Sequence, residues 1–167
     1  MPQPEPVDEK ALLLAILRDA RDHILGILDG LSEADLRRAV LPSGWSCLGL
    51  VHHLAVDVER FWFRAVLAGE RVDLYSGDGG WRVPEDMSAE TVLDLYRDEA
   101  QRSDALTEPH ALEDGPAWWP VDLFPDQPVR DLRRLLLGVI TETATHAGHV
   151  DAVRELIDGR TWLVLTD

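Results

Sequence analysis

Cysteine is nearly absent: Cys47 is the one thiol in 167 residues, which excludes an internal disulfide and a thiolate-rich metal site. Cations are scarce as well, because 16 Lys and Arg against 31 Asp and Glu leave a formal charge of −15. Phosphate backbones and anionic bilayers are both recognised by clustered basic side chains, so neither nucleic acid nor a membrane surface is an expected partner. No apolar run approaches the ~20 residues that span a bilayer. The acidic, proline-rich start MPQPEPVDEK has no basic stretch leading into an apolar one. These features predict a soluble, cytoplasmic protein. What is present is ordinary globular material, 46% hydrophobic and 28% charged. The length fits a single domain over residues 1–167, with 1–7 as a flexible tail.

Strand-like alternation is also missing, whereas helical periodicity is strong. Asp8 is an N-cap candidate for a first helix ending near Asp29, where Gly30 can close it. Its residues Leu13, Ile16, Leu17, Ala20, Ile24 and Ile27 recur at helical spacing. Ser32 opens a short turn, SEADLRRAV, with Asp35 placed as a capping-box acid. A second helix is predicted from Ser46 to Ala68, a third from Ser88 to about Leu106, and a fourth from Val129 to Ile157 before Asp158-Gly159. Residues 70–87 and 107–128 are long loops, and the tail RTWLVLTD is expected to pack across the helices or form a brief strand. GDGG at 77–80 lacks the lysine of a phosphate loop and is expected to be a turn. The expectation is an all-α four-helix bundle with long crossover loops.

The last helix carries the informative interruption. Leu132, Leu136, Val139, Thr143, His146, Val150, Val153 and Ile157 alternate four and three residues apart, as a core seam does. His146 stands where a core prefers Leu or Val. Glu142 lies ~40° around the helix from it and shares a row with Leu135, His149 and Leu156. A carboxylate and an imidazole four residues apart can bind one cation, or they can pair with each other or with an arginine at the bundle surface. On the second helix, His53 borders the apolar side formed by Leu50, Leu54, Val58, Phe61 and Ala65, while His52 points largely away from it. A histidine from that neighbouring helix would complete a two-histidine, one-carboxylate set, whose open position is that of a catalytic rather than a structural site.

GWSCLGLVHHLAVDVERFWF, following SEADLRRA, and ITETATHAGHVDAVRELIDG near the C-terminus resemble the two signatures of the DinB-like metalloprotein superfamily, in particular its actinobacterial DUF664 branch. The resemblance covers nearly the whole chain. It implies a four-helix bundle of DinB-like type holding one divalent metal, zinc or nickel. It also implies His53, Glu142 and His146 as the ligands, with His149 beside them or as an alternative ligand. A glutamate in the last-helix pair, where DinB-type members commonly have histidine, is similar to the mycothiol-dependent maleylpyruvate isomerases. The implied activity is metal-dependent transfer or isomerisation with a low-molecular-weight thiol, mycothiol, acting on a small electrophile. The alternative is a non-enzymatic bundle that binds metal or a small ligand for sensing or stress response.

Other features have plainer readings. Cys47 at a helix start is a candidate thiolate, although a lone cysteine on an apolar face is more often packing. Trp118-Trp119 either line a pocket or plug the bundle end. Asp151, Arg154 and Glu155 belong to the second signature and also fit surface pairing. His23 and His110 have no evident partners. Phe61-Trp62-Phe63 place aromatic side chains around most of the second helix, too many for one buried face, and a homodimer is the expected consequence.

Overall fold

A computed structural model describes residues 8–126 and 129–162. The proline-rich tail and the final residues 163–167 lie outside them. Every regular element among the described residues is helical: α1 (Glu9–Leu28), α2 (Glu33–Arg37), α3 (Cys47–His53), a π-helical segment (Leu54–Leu67), a single 3-10 turn (Gly79–Trp81), α4 (Ala89–Thr107) and α5 (Leu132–Asp158). The long helices are α1, α3 with its π continuation, α4 and α5. They form the all-α bundle, α1 packing chiefly on α5 and α4 on the π segment.

Local chemistry sets the helix ends. Asp8 accepts the Ala11 N–H at 3.1 Å, and Ser88 accepts that of Thr91 at 3.2 Å. Each satisfies one of the amides a helix start leaves unpaired. Ser32 accepts the Asp35 N–H while donating its hydroxyl to the Asp35 carboxylate, so the predicted turn is a capped one-turn helix. Ser46 caps α3 by accepting from Gly49 at 3.1 Å. The last helix starts at Leu132 rather than Val129, because Asp131 takes the Arg134 N–H at 2.8 Å. Gly159, at φ 80°, ends it in the left-handed conformation that suits glycine.

The second helix departs from expectation at His53. Beyond it the hydrogen bonds widen to i→i−5, as where the Ala68 N–H reaches the Phe63 carbonyl at 3.0 Å. A wider helix carries more residues per turn and presents a broader buried face. Val56, Val58, Phe61, Phe63 and Val66 are all buried on it. The loop ring Phe124 packs on Phe61 and Trp62, and Trp119 packs on Trp62. Phe61 and Phe63 are thus buried within the chain, while Trp62 and the covering Phe124 keep part of their surface.

Four charged residues, Arg21, Glu59, Glu99 and Arg154, are buried inside the bundle. Arg21 of α1 donates twice to Glu59 of the π segment at 2.7 Å and once to Asp104 of α4 at 2.7 Å. Glu99 of α4 takes Arg60 and Arg64. Arg154 of α5 is buried and donates to the carbonyls of Ile27 and Asp29, closing the C-terminal end of α1. It caps α1 from the interior and at the same time pairs with Asp158 one turn along its own helix. Trp162 stacks on His23 at 4.8 Å over Gly26, where a Cβ has no room, so this part of the tail packs across α1.

Candidate metal centre

His53 is the last residue of α3, at the junction with the π segment. It donates from Nδ1 to Asp57 Oδ2 at 2.8 Å. A carboxylate only accepts, so Nδ1 carries a proton and Nε2 is the nitrogen left available as a ligand. Nε2 is buried and makes no hydrogen bond. It faces Glu142 Oε1 of α5 at 3.6 Å, and His146 Nε2 lies 3.0 Å from the same oxygen. One donor atom from each of the three residues falls within 4.8 Å of the other two. Donors that share a small divalent ion at ~2 Å each stand ~3–3.5 Å apart; the two contacts to Glu142 Oε1, 3.6 and 3.0 Å, are close to that spacing, and the donor set suits such an ion once the two imidazoles draw together. A carboxylate oxygen and an imidazole nitrogen facing each other across 3.6 Å make a place that a cation can fill.

Burial pushes the His146 imidazole below its usual value, opposed by its bond to Glu142 and reinforced by His53 and His149. A neutral imidazole is the form that binds metal. Glu142 itself is not a buried carboxylate, since its side chain keeps 46% of its surface. The row of 135, 142, 149 and 156 leaves the core towards its end, where Leu156 is 61% exposed. The case for a cation therefore rests on the orphaned His53 nitrogen rather than on the cost of burying Glu142.

Several neighbours were not visible as site residues in the sequence. Trp81 stacks flat on His53 at 4.3 Å and presents an edge to His146 at 5.5 Å. His52 is buried and donates from Nδ1 to the Gly80 carbonyl at 2.6 Å. It points away from the apolar side, as its spacing predicts, yet into the loop that carries Trp81. The Asp57 carboxylate occupies the space where a Cβ on Gly80 would stand, and Gly49 lies under the Trp81 carbonyl. GDGG is thus a turn, as expected, and its last glycine lets the chain close on Asp57. His149 is exposed, with Nδ1 3.5 Å from His146 Nδ1, outside the donor group. Cys47 is fully buried and burial pushes its thiol up to about 11, which is the packing role. His23 pairs with Asp151 at 2.8 Å, and His110 lies 3.5 Å from Asp114.

Beside the donors opens a cavity of about 420 Å³. His53, Asp57 and Glu142 form one end, and Phe61, Trp62, Trp119 and Phe124 form an aromatic wall. Of the paired tryptophans, Trp119 lines this space and donates from Nε1 to the Phe124 carbonyl at 3.0 Å. Trp118 turns to a different cleft. On the far side of Trp81 lies a polar cleft of about 460 Å³ with Arg37, Ser43, Ser46 and Arg82 on its rim.

A model of the family described as MST, mycothiol-S-transferase, matches residues 12–159. No curated protein and no solved structure matches the chain.

Proposed function

The chain belongs to the mycothiol-S-transferase family, and on that premise we propose that His53, Glu142 and His146 hold one divalent cation at which the thiol of mycothiol is transferred to a small electrophile. The observation that carries this is the buried, unbonded Nε2 of His53, aimed at Glu142. Two imidazoles and one carboxylate with an open position suit zinc in a catalytic setting, and nickel also accepts such a set. Bound there, the cation lowers the thiol's pKa, so that the thiolate nucleophile is present near neutral pH.

The protein's own residues do the rest. Asp57 holds the proton of His53 on Nδ1 and keeps Nε2 free. His146 donates from Nε2 to Glu142 in this structure; with that proton displaced to Nδ1, it faces His149 Nδ1, 3.5 Å behind the ring. Trp81 shields the pair of histidines on one side. The polar cleft beyond Trp81, with its hydroxyls and guanidinium groups, suits the sugar-like body of the thiol. The aromatic cavity excludes water from the electrophile. Among the described residues no helix is long and apolar enough to cross a membrane.

The test is elemental analysis of protein purified without chelator or metal-affinity resin, followed by thiol conjugation with mycothiol. About one equivalent of divalent metal per chain is expected. His53→Ala and His146→Ala should abolish stoichiometric binding and conjugation together, whereas His52→Ala should keep its metal. Full metal content in His146→Ala removes the site. Metal without conjugation leaves a metal-binding bundle in place of a transferase.

A further inference from the structure

The cavity beside the donor set is aromatic along its wall and carries carboxylates at one end, yet Arg134 of α5 also lines it. Arg134 is the one cation among the described residues of that lining. Arg21, Arg60, Arg64, Arg133 and Arg154 are all held by carboxylates. Arg134 makes no ion pair or side-chain hydrogen bond among the described residues; only its backbone N–H is engaged, by Asp131. Arg71, Arg102 and Arg130, all exposed, also lack a carboxylate partner among the described residues; what sets Arg134 apart is its place in the lining of this cavity, beside the donor set. Asp57 and Glu142, the carboxylates of the same lining, make no ion pair with it and are hydrogen-bonded to His53 and His146.

Position matters as much as charge. Arg134, Gly138 and Glu142 stand four residues apart, along one face of α5. The guanidinium lies along that face, its Nη1 3.7 Å from where a Cβ on Gly138 would stand. Glu142 is one turn further, ~6 Å along the axis. Glycine at 138 leaves the space between them clear.

We infer that the cavity admits an electrophile with a flat apolar body and an anionic group, the anion seated on Arg134 about one helical turn from the atom that reacts. A carboxylate matches the guanidinium fork by two parallel hydrogen bonds, while the aromatic wall holds the body. Calling the occupant an electrophile rests on the thiol-transfer reading; the anion seat does not. For a benzylic halide the step is a displacement. The thiolate sulfur forms a bond to the benzylic carbon as the carbon–chlorine bond breaks, chloride leaves with the electron pair, and the thiol proton goes to solvent.

Binding is tested with the unreactive 4-methylbenzoate and its neutral isostere 4-methylbenzamide, titrated into the protein and followed by heteronuclear NMR. The acid should bind wild type at least tenfold more tightly than the amide and shift resonances of the cavity wall. Arg134→Gln, a change at an exposed position, should erase that preference, and Arg134→Lys should restore part of it. Equal affinities in wild type, an undiminished preference in Arg134→Gln, or no cavity shifts with the acid at millimolar concentration each overturn the seat. A second arm follows conjugation of mycothiol with 4-(chloromethyl)benzoate and 4-(chloromethyl)benzamide. Acid preference in binding with no conjugate from either halide keeps the anion seat and refutes the transferase reading. Conjugates from both halides without acid preference in binding do the reverse.

Discussion

Asp57 takes the Nδ1 proton of His53, and that single bond decides which nitrogen faces Glu142. Carboxylate partners of this kind keep a ligand's tautomer and ring orientation, and their loss typically costs ~10–100-fold in metal affinity. Asp57→Asn should therefore weaken metal binding by that factor, read by competition with a chromogenic chelator, while one equivalent still binds at saturation. Unchanged affinity would show that the His53 ring is oriented by Trp81 alone. Glu142→Gln asks a separate question. Its amide keeps the shape and loses the anionic oxygen, and the side chain is half exposed, so metal-free stability should barely move. Native-state binding raises stability by ~2.7 kcal/mol at a hundredfold excess over Kd, and most of that rise should disappear in the variant. Thermal unfolding with and without metal measures both, and a full metal-induced shift in Glu142→Gln would rule it out as a ligand. His53, Glu142 and His146 were legible because each interrupts or borders an apolar stripe. Asp57 and Trp81 were not. Asp57 looks like any solvated acid on a helix, and Trp81 reaches the site through a loop that has no periodicity to read.

At the scale of elements, the helix starts other than that of α5 could be read in advance because caps are short-range chemistry: Asp8, Ser32, Ser46 and Ser88 each bond within three residues. The π segment could not. Its sequence keeps an apolar stripe compatible with an ordinary helix, and the widening begins at His53, where the site is built; wide turns of this kind are frequent at functional sites. The interior ion pairs escaped for a different reason, since an arginine and a glutamate on separate helices carry no spacing relation. Arg21 and Glu59 are 4% and 0% exposed and join α1 to the π segment. Removing one partner of such a pair strands a buried charge, at ~3–5 kcal/mol. Glu59→Ala should lose about that much in urea unfolding, and a loss under ~1 kcal/mol would mean that Asp104 alone can hold Arg21. Since α1, the π segment and α4 meet on this network, the same variant should also loosen metal binding by shifting His53.

For the whole molecule, pH links the fold to the site through His146. Burial holds its folded pKa below the ordinary 6.5, so the unfolded chain binds a proton more readily than the folded one. The slope of stability with pH then has the sign of the unfolded chain's excess protons, and stability rises with pH. The contribution is complete above about 6.5, is lost as pH falls from there to the lowered folded value, and changes no further below it. Carboxylates also titrate in an acidic chain, so a raw acid-unfolding curve mixes many groups. The difference between two proteins isolates one. Metal-free wild type and His146→Gln should be compared by thermal unfolding from pH 7.5 down to 5. The Gln variant cannot gain the proton, so the stability gap between the two should move in its favour as pH falls through the window below about 6.5. Adding metal should enlarge the wild-type pH dependence, because protons and the cation compete for the same imidazole nitrogens. A gap that stays constant across that range would show that His146 takes up its proton equally in both states, and the neutral imidazole on which the proposed site depends would lose its physical basis.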